Sequence, residues 1–166
     1  DNNEYALLDE VTDNFDNVIV VLNTLTSFQC DFLEAYGDRI KGVLWIGGPG
    51  STGAEAIGAV LNGDVNPSGR TVDLYSKDFT KDPTWMNFGD NSQNSPDGKN
   101  NCEFVGASAK YMLTYDENIY MGYRYYETRG YEEAQAGVNA NWYEQNVRYP
   151  FGYGLSYSTF SQQITT

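Results

Sequence analysis

The first part of the chain carries apolar residues at the spacings of amphipathic helices and of buried strands. Apolar positions recur with a helical period over residues 2–15, which predicts a helix there. The unbroken apolar run at 18–23 and a second run at 43–46 predict strands that are covered on both faces. Strands of this kind are typical of parallel sheets, so these segments indicate an α/β fold.

A glycine-rich turn at 47–53 separates the second strand from another predicted helix. The apolar residues of this helix share one face, and Gly63 predicts its end. The segment TVDLY at 71–75 predicts a further strand. A strand, a helix and a strand within this length of chain form a βαβ unit, which again indicates a parallel sheet.

The second half of the chain is more polar, and its pattern changes. Residues 76–103 contain many Asn, Asp, Gly and Pro residues and predict a long loop. At 118–127 large side chains occupy every second position, which predicts a strand, whereas 129–146 lacks such a pattern and predicts a loop-like insert. We therefore expect an α/β fold with long polar loops and antiparallel edge strands.

The segment at 147–160, VRYPFGYGLSYSTF, alternates large apolar side chains with glycine and serine over most of its length. As a strand it would carry rings on one face and almost nothing on the other. A bare face indicates that another piece of backbone, or a ligand, comes close. We expect a strand that packs tightly against a neighbour, and we give sugar stacking less weight.

Charge and length exclude several classes of function. The 166 residues suit one domain, and 10 basic against 23 acidic residues give a net charge of −13. A nucleic acid partner is not expected, because phosphate contacts need a basic patch, and an anionic membrane is disfavoured for the same reason. No apolar run reaches the roughly 20 residues of a transmembrane helix. The compartment stays open.

The absence of histidine narrows the chemistry further. The chain contains no His, which excludes Ser-His-Asp and Cys-His catalysis within it. Cys30 and Cys102 are too few for a zinc site or a disulfide framework, and we expect two buried thiols. No metal and no cofactor are expected. Any chemistry would use Asp, Glu, Tyr, Lys or Arg.

The stretch GPGSTG matches the dinucleotide-binding fingerprint. Gly48, Gly50 and Gly53 follow a predicted strand and open a predicted helix, and Asp73 lies 20 residues beyond the last of them. Against this interpretation, a strand and a helix precede the unit, and no second nucleotide-binding half follows it. The glycines could instead permit close packing in a tight turn. A dinucleotide-binding domain remains an alternative at this point.

Five stretches, in one order, resemble the C-terminal α/β sandwich domain of family 3 glycoside hydrolases, which include β-glucosidases and β-xylosidases. They cover about half the chain: VIVVLN at 18–23, VLWIGGPGSTGAEAIGAVLNGDVNPSGRTV at 43–72, DPTWMNFGDN at 82–91, YDENIYMGYRYYET at 115–128 and the segment at 147–160. The resemblance implies a three-layer sandwich, a mainly parallel sheet flanked by helices, over residues 1–160. It also implies that this domain is incomplete at its N-terminal edge and that residues 161–166 begin a linker to a following domain.

The resemblance further implies a retaining β-glycosidase that acts on terminal β-linked glucose or xylose without a cofactor. Such enzymes use two carboxyl groups roughly 5–5.5 Å apart, a nucleophile and an acid/base. In the family the nucleophile is an Asp on a (β/α)₈ barrel, and the acid/base Glu lies in a loop before the first helix. That loop would lie upstream of Asp1, and we do not transfer the role to Glu4. We therefore expect no catalytic residue here and an inactive isolated chain. The expected partners are a barrel and the fibronectin-like domain that often follows in the family.

Three residues are candidates for the substrate pocket. Glu117 and Arg124 match the acidic and basic positions of the family segment E-G-I-Y-V-G-Y-R, although Asn118 replaces its usual first Gly. The two could shape the sugar pocket as a pair, or they could form an ordinary structural ion pair. Trp85 could stack on a sugar or anchor its loop to the core. A non-catalytic carbohydrate-binding module is a further alternative.

Overall fold

The computed structural model describes residues 2–85, 102–103, 112–113, 115, 117–161 and 163–164. The chain divides into two compact units, one of Asp1–Val72 with Gly152–Thr166 and one of Asp73–Phe151. Helices together with a parallel sheet confirm the α/β class. None of the helices in the described ranges is both long and apolar enough to cross a membrane.

The first unit contains three helices and two strands of the described chain. They are α1 (Asn2–Asn14), β1 (Val18–Leu22), α2 (Phe32–Tyr36), β2 (Ile40–Trp45) and α3 (Ala54–Leu61). β1 and β2 pair in parallel, with Val18 opposite Ile40 and Leu22 opposite Trp45. The predicted helix at 2–15, both predicted strands and the helix after the glycine-rich turn are confirmed.

The core of the first unit lies between its helices and its sheet. Cys30, Phe32, Leu33 and Tyr36 are buried there, which confirms the expectation for Cys30. The Tyr36 hydroxyl donates a hydrogen bond to the Asp9 carboxylate, 2.9 Å away, and so joins α2 to α1. The side chain of Cys102 lies outside the described residues.

One face of β1 is exposed in the part of the chain that the structure describes. Val18 and Leu22 are buried, but Ile19 is 50% and Val21 38% exposed. The expectation that β1 is covered on both faces is therefore wrong for the residues that the structure describes. An apolar run of this kind is typical of a strand that is buried on both faces. The described elements of this unit cover only one face of β1.

The second unit is built around two helices. α4 (Tyr123–Gln135) and α5 (Trp142–Asn146) accompany two short antiparallel pairs, β3 (Tyr75–Ser76) with β6 (Val147–Tyr149) and β4 (Cys102–Glu103) with β5 (Met112–Leu113). Its core consists of Leu74, Tyr126 and Val147, surrounded by aromatic side chains of both helices, Tyr123, Tyr125, Trp142 and Tyr143. The antiparallel pairs agree with the expected antiparallel edge strands.

The predictions for 118–127 and 129–146 are wrong. A turn at 117–121 leads into α4, and the presumed insert is mostly helical. The buried residues of α4 are Tyr126 and Gly130, which lie one helical turn apart. The residues that face the core therefore follow the period of a helix and not that of a strand. The regular alternation before Tyr126 spans the boundary between the turn and the helix.

Two further strand predictions fail in part. Of the segment 71–75 only Tyr75 is in a strand, and β3 pairs antiparallel with β6 instead of completing a parallel βαβ unit. Of the segment 147–160 only β6 is a strand, and residues 151–160 form turns and irregular structure. The expected close approach of another backbone nevertheless occurs there.

Residues 66–71 lie against residues 152–158 within the first unit. The Thr71 N–H donates to the Tyr153 carbonyl at 2.7 Å, and the Gly152 N–H donates to the Thr71 carbonyl at 2.8 Å. The Asn66 side-chain oxygen accepts the Tyr157 N–H at 2.8 Å. A Cβ on Gly154 would overlap the carbonyl oxygen of residue 69, so this glycine is bare because backbone approaches it.

We expect Gly130→Ala to destabilise the second unit, by about 1 kcal/mol, although alanine favours helices. The added Cβ would lie 3.0 Å from the Cβ of Tyr143, whose hydroxyl donates to Glu127 at 2.8 Å. Gly58→Ala in α3 is the matched control. Apart from its own helix backbone, no described atom lies within 4 Å of its added Cβ, so it should stabilise by about 0.5–1 kcal/mol. Urea unfolding of both variants measures the difference, and a stabilised Gly130→Ala variant would contradict the packing of α4 on α5.

Candidate functional site

A cavity of about 400 Å³ opens on the second unit. Its walls come from α4, from the turn that precedes α4 and from the turn at 82–85, and they consist of Pro83, Glu117, Tyr120, Tyr125, Thr128, Arg129 and Glu132. The α4 residues lie at positions i, i+3, i+4 and i+7, which share one face of a helix. We call this depression the α4 cavity.

The turn before α4 sets the position of two cavity residues. Asn118 has φ +51° and Gly122 has φ +54°, so the chain bends sharply on both sides of Tyr120. The Tyr120 N–H donates to the Glu117 carbonyl at 2.9 Å. Asparagine is among the few residues that tolerate a left-handed backbone, which explains how it occupies a position where the family usually has glycine.

A second turn brings Pro83 to the cavity. The Asp82 carboxylate accepts the Thr84 N–H at 2.9 Å and the Thr84 hydroxyl at 2.6 Å, as side chains at turns commonly do. Trp85 follows, half-buried, with its backbone N–H donating to the Asp82 carbonyl at 3.1 Å. Trp85 does not line the α4 cavity, whereas Pro83 does.

The charges around the cavity are mostly negative. Glu117 and Glu132 line it, and Arg129, which also lines it, forms an ion pair with Glu133. Burial raises the pKa of Tyr125, the charge of Arg129 lowers it, and the charges of Asp82 and Glu133 raise it. Tyr125 therefore stays a neutral phenol at physiological pH. The cavity offers two acceptor carboxylates and neutral hydroxyls, which disfavours an anionic ligand.

Of the three residues expected in a substrate pocket, the structure places only Glu117 in the α4 cavity. The Arg124 Nε donates to the Ile119 carbonyl at 2.7 Å, and its guanidinium lies 5.3 Å from the centre of the Tyr123 ring. Within the described part of the chain, the Arg124 guanidinium does not form an ion pair with the Glu117 carboxylate. Arg124 thus holds the turn that carries Glu117.

Sequence reasoning did not identify Tyr120, Tyr125, Thr128, Arg129 and Glu132 as neighbours. The signal lay in a helical interpretation of 123–135. Glu132, Glu133, Ala134 and Gln135 are good helix formers, and Gly137 follows with φ +67°, a common helix end. A predicted helix over 123–135 would have placed Tyr125, Thr128, Arg129 and Glu132 on one face.

The glycine-rich turn of the first unit has a packing explanation. A Cβ on Gly53 would collide with the Pro49 carbonyl oxygen, and Gly50 has φ +68°. In the second unit, Asp73 accepts the Leu74 N–H at 2.8 Å. These roles account for Gly50, Gly53 and Asp73 without a bound dinucleotide.

Several acidic residues outside the cavity have structural partners. Asp13 pairs with Arg39 at 3.1 Å, the Glu127 carboxylate accepts the Tyr143 hydroxyl, and Asp78 accepts the Thr80 N–H at 2.9 Å. No group of three His, Cys, Asp or Glu side chains in the described ranges could hold a metal ion.

Comparison with known proteins gives a consistent family. Residues 1–157 match the model of the glycosyl hydrolase family 3 C-terminal domain. The chain is 29% identical to a β-glucosidase of Ruminococcus albus over 157 residues, covering 95% of this chain and 13% of the relative. It is 30% identical to an exo-α-(1→6)-L-arabinopyranosidase of Bifidobacterium longum, covering 95% of this chain and 16% of the relative.

A solved structure shares the fold. The crystal structure of a β-glucosidase from Paenibacillus barengoltzii superposes with a TM-score of 0.72 at 28% identity, covering 98% of this chain and 14% of that one. The chain therefore spans about one seventh of the length of the relatives that it matches.

Proposed function

This chain belongs to glycoside hydrolase family 3, as its C-terminal domain, and on that premise we propose that it forms one wall of the active-site cleft of a retaining β-glycosidase. The substrates proposed are glycosides with terminal β-linked glucose or xylose. The family match over 157 residues carries the proposal. The relative named as an arabinopyranosidase indicates that family membership alone does not fix the sugar.

The two reacting carboxyl groups are proposed to come from other segments of the protein. Retention of configuration requires a carboxylate nucleophile that forms a glycosyl-enzyme and a carboxylic acid that protonates the leaving oxygen, then acts as base on water. We assign the nucleophile to an Asp on a (β/α)₈ barrel and the acid/base to a Glu in a loop upstream of Asp1.

The open face of β1 supports a larger assembly. Ile19 and Val21 expose apolar surface that would be stabilised by about 25 cal/mol for each Å² covered. We propose that the family's further segments cover it and that residues 1–160 belong to the sandwich domain. Residues 161–166 then begin a linker to a following, fibronectin-like domain.

Glu117, Arg124 and Trp85 are proposed as substrate-pocket residues with different roles. Glu117 would accept hydrogen bonds from sugar hydroxyls, because an ionised carboxylate is an acceptor only. Arg124 would act indirectly, since its hydrogen bond to the Ile119 carbonyl holds the turn before α4. Trp85 would either stack on a sugar face or hold its turn to the unit.

The proposal predicts activity in the full-length protein and none in the isolated chain. We expect the full-length protein to release nitrophenol from an aryl β-glucoside or β-xyloside, with the first-formed sugar keeping the β configuration by ¹H NMR. The isolated 166-residue chain, tested for folding by circular dichroism, should release none above the background rate. Turnover by the isolated chain that disappears when one of its own acids is replaced would overturn the division of labour.

A further inference from the structure

We propose that the α4 cavity binds a neutral pyranoside, with Tyr120 and Tyr125 as its aromatic wall and Glu117, Thr128 and Glu132 as its hydrogen-bonding groups. The choice of ligand class rests on the proposed function, but the site itself rests on the geometry of the second unit. The volume of about 400 Å³ lies within the ordinary range of small-molecule sites.

The aromatic side chains give the cavity a surface that fits a sugar ring. Tyr120 is 50% exposed although it lines a concave surface, and Tyr125 is half-buried beside it. One face of a β-pyranose carries axial C–H groups and is apolar. Covering exposed aromatic surface with that face is favourable, while the phenol hydroxyls remain able to bond to water or to the ligand.

The polar groups of the cavity disfavour an anionic ligand and favour a polyol. Glu117 and Glu132 accept hydrogen bonds from hydroxyl donors, and Thr128 can donate and accept. Arg129 is already paired with Glu133, so its charge is not available in full to an anion. Hydrogen bonds to charged acceptors are among the stronger ones in proteins, which makes vicinal sugar hydroxyls suitable partners.

The test is hydroxyl-radical footprinting of the full-length protein with a thio-linked cellobioside that resists cleavage. We expect the ligand to protect Tyr120 and Tyr125 from oxidation, while Tyr131, which is 67% exposed on α4 and does not line the cavity, reacts unchanged. With Glu132→Gln, about ten times more ligand should be needed for the same protection, since a charged hydrogen-bond acceptor is replaced by a weaker neutral one. Glu144→Gln on α5 is the matched control. In this variant the protection of Tyr120 and Tyr125 should depend on ligand concentration as it does in the parent protein.

Three results would overturn the inference: no protection at Tyr120 and Tyr125, equal titration of the Glu132→Gln and Glu144→Gln variants, or protection by choline and not by the thioglycoside. The last would identify an organic cation site. Hydrolysis of an aryl β-glucoside is measured on the same preparations. If the parent protein does not hydrolyse the glucoside, the proposed function is contradicted. The footprint reports on the α4 cavity alone, so the two failures are distinguishable.

Discussion

Replacing Tyr126 with alanine is expected to lower the free energy of unfolding of the second unit by about 3–5 kcal/mol, the usual cost of removing a large buried ring. The Tyr126 side chain is 0% exposed. Its ring lies 5.3 Å from that of Tyr125 and 5.6 Å from that of Trp142. The cavity left by alanine would remove contacts with α5 and with β6. Urea unfolding followed by tryptophan fluorescence, to which Trp142 beside Tyr126 contributes, measures the loss.

Tyr126→Phe is the matched control because it keeps the ring. Within the described ranges, the Tyr126 hydroxyl and the Ser76 hydroxyl are buried without a hydrogen bond of good geometry. Removing an unsatisfied polar group costs little and can stabilise, so we expect a change within about 1 kcal/mol in either direction. A loss as large as that of alanine would mean that the hydroxyl, and not the packing of the ring, is what the core needs.

The same residue predicts a dependence on alkaline pH. Burial raises the pKa of Tyr126, and the nearby Ser76 hydroxyl opposes this shift only in part. Since the pKa is higher in the folded than in the unfolded chain, where it is about 10, the stabilisation is complete below pH 10 and is lost as the pH rises through the folded value. Tyr126→Phe should therefore lose less stability than the parent chain between pH 9 and pH 11.

Gly154→Ala is expected to separate residues 66–71 from residues 152–158. The new Cβ would overlap the backbone oxygen of Gly69 and lie 2.6 Å from the Arg70 guanidinium. The arginine can move, but the carbonyl cannot move without breaking the hydrogen bonds of Thr71. Overpacking of this kind costs about 1–3 kcal/mol. Amide exchange at Thr71, Gly152 and Tyr153 should become roughly ten to a hundred times faster, since about 1.4 kcal/mol corresponds to a factor of ten.

Gly69→Ala provides the comparison for Gly154→Ala. It lies on the other side of the same contact, and its added Cβ would meet no atom within 4 Å. We expect amide exchange at Thr71, Gly152 and Tyr153 close to that of the parent chain. Equal acceleration in both variants would show that the loss of glycine flexibility, and not the backbone contact, controls this region.

The first unit was largely predictable because its signals are local. The apolar run of β1 and the helical spacing of apolar residues over 2–15 each indicate one conformation without reference to distant residues. The exposure of Ile19 was not predictable from the same run. A sequence reports the burial that a strand needs, but it does not report whether the cover lies within the same 166 residues.

The second unit was predicted less well because its signals conflict. Tyr123 and Tyr125 continue a period of two, yet they belong to a helix whose core positions are Tyr126 and Gly130. Large aromatic residues are common in strands, which favoured the wrong period. The α4 cavity was missed for the same reason, except for Glu117, which the family resemblance identified without its surroundings.

The hydrogen bond between Tyr153 and Thr71 joins residues 82 positions apart. During translation at about 5–20 residues per second, the ribosome needs roughly 4–16 s to make the intervening chain. During that interval the backbone and side-chain groups of Thr71 lack these partners and remain bonded to water. The first unit therefore cannot complete its hydrogen bonds between residues 66–71 and 152–158 until the later segment has been synthesised.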